Sequence, residues 1–180
     1  PYPFGLGEGV MFEHADEKSF DFEVKSPVDM VVIVHFQAKD INSADEVTVS
    51  CNGVDVGTVP PDTLDSDEVD LERLIPATVV HRGELNTVTF DNTKNPPEQN
   101  TWRIWNLWLE MAVLPEGDAD SLKIKAEEQL KRADTEWTQR DIGASNRWDA
   151  YHAYREAWLM LETIPENVRP ATYALARDKM

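Results

Sequence analysis

The 180-residue chain has one cysteine, no apolar run of membrane-spanning length, and none of the short motifs that mark phosphate, metal or nucleophile chemistry. A lone Cys51 excludes an internal disulfide and a cysteine-based zinc site, and is expected as a small buried side chain in a strand rather than a reactive thiol. The longest apolar stretch, Met30 to Val34, is strand length, far short of the roughly 20 residues that cross a bilayer. The four histidines, His14, His35, His81 and His152, show neither His-x-x-x-His nor His-Glu-x-x-His spacing. Gly5-Leu6-Gly7-Glu8-Gly9 neither follows a predicted strand nor opens a helix, and no Gly-x-Ser-x-Gly elbow occurs. No cofactor, no metal and no catalytic residue is therefore expected. Positive charge is scarce too. Against 34 acidic residues stand 17 basic ones, a net charge of -17, which excludes nucleic acid and anionic membrane surfaces as partners.

The chain opens at Pro1 without a methionine and ends at Met180 inside a helical pattern, so it reads as a piece of a longer protein. One cysteine and the lack of a signal peptide in this stretch lean towards a cytoplasmic setting. The hydrophobic content of 41%, with six tryptophans, is enough for a packed core in spite of the acidity.

The periodicity changes at Pro115-Glu116-Gly117. Before it the period is two. Phe20, Phe22 and Val24 alternate with charged residues, Val31 to Phe36 has the β-branched composition of a central strand, and Val47, Val49 and Cys51 alternate with Thr48 and Ser50. Asn52-Gly53, a pair that tolerates two positive φ angles, predicts a hairpin into Val54 and Val56. A turn at Arg82-Gly83-Glu84 leads into Val88 to Phe90, and the last strand runs from about Trp102 to Leu114. Beyond Pro115, Leu122, Ala126, Leu130, Ala133 and Trp137 lay one stripe along a helix. Asn146 with Asp149 has the form of a capping box with Asp in the acidic place, opening a helix that carries Tyr154, Trp158 and Leu161. Pro170 is placed to open a third helix. The expected fold is α+β: an antiparallel jelly-roll-like β-sandwich over residues 1–115, then a helical hairpin and a third helix over 116–180.

The charge divides unevenly between these parts. The first holds 7 basic and 21 acidic residues (-14), the second 10 and 13 (-3), which together return -17. Part of the acidity is concentrated from Asp62 to Glu72. This segment lacks the glycine and distal glutamate of a calcium loop, so a solvated acidic loop is expected there.

Two resemblances follow from these residues. His81-Arg82-Gly83-Glu84-Leu85-Asn86-Thr87-Val88-Thr89-Phe90, after Asn52-Gly53-Val54 and before the Trp102–Trp108 strand, resembles the phrasing of galactose-binding-like jelly-roll domains over roughly residues 10–114. That class includes carbohydrate-binding modules as well as domains that bind proteins or support a neighbour, so the resemblance implies a fold and leaves function open. The helical part is similar to a tetratricopeptide pair at Trp137, Ala153 and Pro165. It departs from that pattern at Gly143, and at Arg140 and Asp141, where Leu and Gly are usual.

In the last strand, alternation assigns Trp105, Leu107, Leu109, Met111 and Val113 to a core face, and Trp102, Ile104 and Trp108 to the other. Two tryptophans on an outer face need a cover. One reading gives it to the helices, with Trp137, Trp148 and Trp158 as counterparts; the other makes it a sugar platform. The expected function is a non-catalytic interaction or scaffold module. It would bind a protein partner, or another domain of the same chain, through Trp108, Trp148 and Trp158. The alternative is a carbohydrate-binding module using Asn92, Asn95, Gln99, Trp102 and Arg103, whose amides and aromatic ring suit sugar hydroxyls and pyranose faces.

Overall fold

The computed structural model describes residues 4–6, 17–26, 28–61, 70–92, 102–143 and 145–178. The chain forms two compact units, Pro1–Ala112 and Val113–Met180. The class is α+β: two antiparallel sheets followed by three helices.

The strands are β1 (Phe4–Leu6), β2 (Glu17–Glu23), β3 (Met30–Lys39), β4 (Val47–Cys51), β5 (Val54–Thr58), β6 (Asp70–Ile75), β7 (Leu85–Asn92) and β8 (Trp102–Val113). They form one sheet ordered β1-β8-β3-β6 and a second ordered β2-β7-β4-β5. Strands β4 and β7 bury alternate residues, whereas β3 buries every residue from Val31 to Phe36. Val32, Val34 and Phe36 from the first sheet meet Val47, Val49, Cys51, Val88 and Phe90 from the second in one core. Phe36 and Phe90 cross edge-on at 5.1 Å between ring centroids. Cys51 belongs to this core, and burial pushes its thiol up to about 11, so at neutral pH it is an apolar filler.

The predicted β4–β5 hairpin forms, with Asn52 at φ 51° and Gly53 at φ 79°. Its turn is held from below by a second asparagine. Asn52 Nδ2 donates to the Val79 carbonyl (2.8 Å) and to Asn86 Oδ1 (2.9 Å), and Thr87 N donates to Asn52 Oδ1. Asn86, fully buried at the start of β7, also accepts from His81 N (2.7 Å) and donates to the carbonyls of His81 and Glu84. Two amide side chains thus satisfy the backbone where loop 76–84 crosses the hairpin, groups that the sheets cannot reach.

Strand β6 is a correction. Asp70 and Glu72, expected in a solvated acidic loop, lie on a strand paired with β3, with Gln37 opposite Asp70 and His35 opposite Glu72. The rest of the acidic segment, 62–69, lies outside the described residues. Leu71 and Ile75 pack on the core, while Arg73 between them sends its guanidinium to the Thr58 carbonyl at the end of β5. Gly57, beside the Arg73 side chain, has φ 134°, a conformation other residues rarely adopt, so β5 needs glycine there.

The second unit is α1 (Ala119–Thr138), α2 (Asn146–Thr163), a 3-10 turn (Glu166–Val168) and α3 (Thr172–Asp178). Asp118 caps α1 by accepting from Ser121 N at 2.9 Å. Leu122, Ala126, Leu130 and Ala133 are buried as the stripe predicts. Trp137, the last of that stripe, is 47% exposed, because α1 ends one residue later and its final turn runs beyond the packed region. On α2, Ala150, Ala153, Tyr154, Ala157, Trp158 and Leu161 are buried, and Tyr154 donates to Asp134 across the hairpin at 2.6 Å. The capping-box expectation fails. The N-cap is Ser145, and Asn146 Nδ2 instead donates to the Gln139 carbonyl at the end of α1. The third helix begins at Thr172, two residues after Pro170.

A buried cluster ties α3 back to α2. Glu162, whose side chain is wholly inaccessible, accepts from Tyr173 Oη at 2.7 Å and faces Arg169 Nη1 at 3.5 Å. Arg169 also donates to the carbonyls of Glu162 and Ile164 and stacks over the Tyr173 ring. Burial, then the hydrogen bond to Glu162, push the Tyr173 phenol from 10 up to about 12. A folded-state value above the unfolded one means this tie is complete below pH 10 and is lost as the pH climbs from 10 towards 12. We therefore expect helical signal to melt more easily across that window, and Tyr173→Phe to flatten the dependence. Thermal melts at stepped pH check this; an unchanged slope in the variant would refute it.

Candidate functional site

The last strand of the sandwich determines where functional side chains point. Trp102 and Ile104 face the core and are fully buried, yet Leu107 and Leu109 also pack on that core. Inward positions at 104 and 107 leave two successive residues, Trp105 and Asn106, that do not point inward. Asn106 has φ 50°, a left-handed conformation inside a strand, which inserts an extra residue and reverses the alternation. The expected assignment therefore fails at the start of the strand, where Trp102 and Ile104 are core rather than outward, while Leu107 and Leu109 pack on the core as expected. Trp102 and Trp108 stand on opposite faces, and Met111 and Val113 are exposed.

This reversal dismantles the predicted sugar platform. Trp102 lies inside the sandwich and offers no ring face to a ligand. Asn92 is the last of the inward row Asn86, Val88, Phe90, Asn92 and is buried. Arg103 is bound through Nε and Nη2 to Asp40 Oδ2, at 2.9 and 2.5 Å. Asn95 and Gln99 lie outside the described residues. Trp158 cannot contact a partner either, because it is fully buried in the helical unit.

Among the described residues, two clusters of polar and aromatic side chains reach the surface. One lies on the outer face of the first sheet. His35 Nδ1 is 3.0 Å from Glu72 Oε1 on β6, and its Nε2 is 3.1 Å from Glu110 Oε2 on β8. The imidazole stacks parallel on the Trp108 ring, with centroids 3.7 Å apart. One step along the strands, Asn106 Nδ2 donates to Gln37 Oε1 (2.6 Å), and Gln37 Nε2 donates to Asp70 Oδ1 (3.0 Å). Two polar rows thus cross β6, β3 and β8 side by side. The carboxylates of the first row approach opposite nitrogens of one ring. Among the described residues no group of three or more histidine, cysteine or acidic side chains is arranged to hold a metal ion.

The sequence reading missed His35 because it sits in the run Val31 to Phe36. Its position two residues after Ile33 and two before Gln37 is the available signal: that side of β3 turns polar at His35.

The other group surrounds the turn of the helical hairpin. Trp148 is 64% exposed and packs on Tyr151, with ring centroids 5.6 Å apart, and edge-on against His152 at 4.4 Å. Across the turn, the Arg140 guanidinium lies over Trp137 at 4.8 Å, and Ile142 is 85% exposed. Arg147 donates to Asp141 at 2.8 Å, and that bond holds the Asp141 carboxyl below its usual range.

No model of a known protein family matches this chain, and no curated protein sequence matches it either.

Proposed function

We propose that the chain is a non-catalytic interaction module that binds a protein partner through the tip of its helical hairpin. One observation carries the reading: Trp148, braced by Tyr151 and His152, is held at the surface of a well-packed helical pair, and Trp137 and Ile142 are also exposed near the turn. Tryptophan, tyrosine and arginine dominate the energetics of protein interfaces, because each combines large contact area with a polar handle. Here all three types gather around one turn, and the Trp148 ring is braced by Tyr151 and His152, which reduces the ordering cost on binding. The sandwich serves in this reading as a support of the galactose-binding-like class. The helical pair, tetratricopeptide-like at Trp137, Ala153 and Pro165, presents the contact.

The test is affinity capture from cells that express the protein, followed by reconstitution with the purified captured protein. Trp148→Ala is expected to weaken the binary complex by about 30-fold, the scale of a hot-spot residue at roughly 2 kcal/mol, with circular dichroism unchanged. Binding that survives Trp137→Ala combined with Trp148→Ala would overturn the proposal.

A further inference from the structure

We infer that Asn52, at the β4–β5 turn, is a site of spontaneous deamidation that the fold holds shut, and that its conversion releases loop 76–84 irreversibly. The site shares no residue with the tip of the helical hairpin and does not depend on that reading.

The sequence supplies the reactive pair. Asn52 precedes Gly53, whereas every other asparagine of the chain precedes a residue with a side chain. With no Cβ, Gly53 leaves its backbone nitrogen unshielded. A Cβ placed there would meet nothing within 4 Å, so the turn stands open to water. In the reaction the Gly53 nitrogen attacks Asn52 Cγ. A C–N bond forms, the Cγ–Nδ2 bond breaks, and Nδ2 leaves as ammonia with the proton released by the Gly53 nitrogen. Water then opens the succinimide at either carbonyl, giving aspartate or isoaspartate. Water is the co-reactant, and nothing is oxidised or reduced.

The fold supplies the restraint. Attack requires Cγ to swing onto the Gly53 nitrogen, and both polar atoms of the carboxamide are held elsewhere. Nδ2 donates to the Val79 carbonyl at 2.8 Å and to Asn86 Oδ1 at 2.9 Å, and Oδ1 accepts from Thr87 N at 3.0 Å. One partner lies on loop 76–84 and two on β7, so ring closure breaks all three bonds. The reaction therefore proceeds through states in which this corner has opened, and its rate follows their population.

The same bonds make the conversion one-way. Aspartate at position 52 has no donor for the Val79 carbonyl or Asn86 Oδ1, and sets a carboxylate against both. Asn86 cannot turn its amide to compensate. Its Oδ1 also accepts from His81 N, and its Nδ2 donates to the carbonyls of His81 and Glu84. Isoaspartate further adds a methylene to the main chain between Cys51 and Val54, which pair directly across the turn. The two-residue connection then no longer fits the register of its strands.

The experiment incubates the full chain at mildly alkaline pH, folded and in denaturing urea. Peptide mapping follows conversion at each asparagine, and an isoaspartyl methyltransferase assay reads isoaspartate. Asn52 is expected to convert first in urea, and at least about tenfold more slowly in the folded chain, the scale of buried polar groups losing their partners. Asn86→Ala, while still folded by circular dichroism, should restore most of the rate. If that variant unfolds, the wild-type chain decides: in urea below the unfolding transition, conversion at Asn52 and hydrogen exchange at the His81 amide should rise together. The converted chain, separated by its added negative charge, should lose protection at the His81 amide while keeping its strand signal. Equal rates in the folded and unfolded chain overturn the inference, as does another asparagine leading in urea. So does a rate unchanged in folded Asn86→Ala, conversion that does not track His81 exchange, or a converted chain that retains His81 protection.

Discussion

Trp102→Ala is expected to lower the stability of the sandwich by about 3–5 kcal/mol, the cost of removing a large aromatic side chain from a packed interior. Trp102 and Ile104 are fully buried against the valines and phenylalanines of both sheets, and these strands cannot collapse into the space of an indole without breaking their ladders. Trp108→Ala, six residues along the same strand, should cost only about 1 kcal/mol, since it forfeits one ring stack and little burial. Urea denaturation monitored by far-ultraviolet circular dichroism distinguishes the two. Equal destabilisation by both substitutions would mean that the alternation does not reverse at Asn106. Trp102→Phe should recover much of the loss, because it keeps most of the apolar volume.

Asn86→Ala is expected to cost about 3 kcal/mol or more, since each buried polar group deprived of its partner carries a penalty of about 1–3 kcal/mol. The substitution strands the His81 amide and the carbonyls of His81 and Glu84 and takes one of two acceptors from the Asn52 side-chain amide, all of which bond to this one fully buried side chain. Asn86→Asp should also destabilise, because it keeps the acceptor but places a carboxylate against two carbonyl oxygens. The control is Ser19→Ala, which removes an exposed 2.8 Å bond to Thr89 and should stay within about 0.5 kcal/mol. Hydrogen exchange at the His81 amide gives a local readout. Acceleration confined to the Asn86 variants is the expected result, and an unchanged rate would show that the asparagine pair is not what holds loop 76–84.

The two predictions separate what patterning can convey from what it cannot. Alternation identified the buried faces of β4 and β7, the continuous apolar run Val31 to Phe36 identified β3 as a central strand, and Asn52-Gly53 identified the hairpin, because side-chain period, composition and turn chemistry are local properties. The stripe on α1 was equally legible through Ala133. Strand β6 escaped because its outward residues, Asp70 and Glu72, are acidic and its inward row is interrupted by Arg73, so neither face reads as a strand until β3 lies beside it. The surface sites were hidden for a related reason. His35 meets Glu72 and Glu110 from strands 37 and 75 residues further on, and no local pattern registers an encounter at that separation.

The sequence by itself determined the two-part organisation of strands then helices, the concentration of negative charge in the first part, and the lack of any phosphate-loop, zinc or nucleophile motif. Tertiary structure alone decided which tryptophans are structural. Trp102 and Trp108 have the same parity and similar neighbours, and one left-handed residue between them sends the first into the core and the second to the surface. Asparagine tolerates that conformation at low cost, but tolerance is not a signal. Only the demand of β3 and the facing sheet for apolar side chains at 104 and 107 fixes Asn106 there.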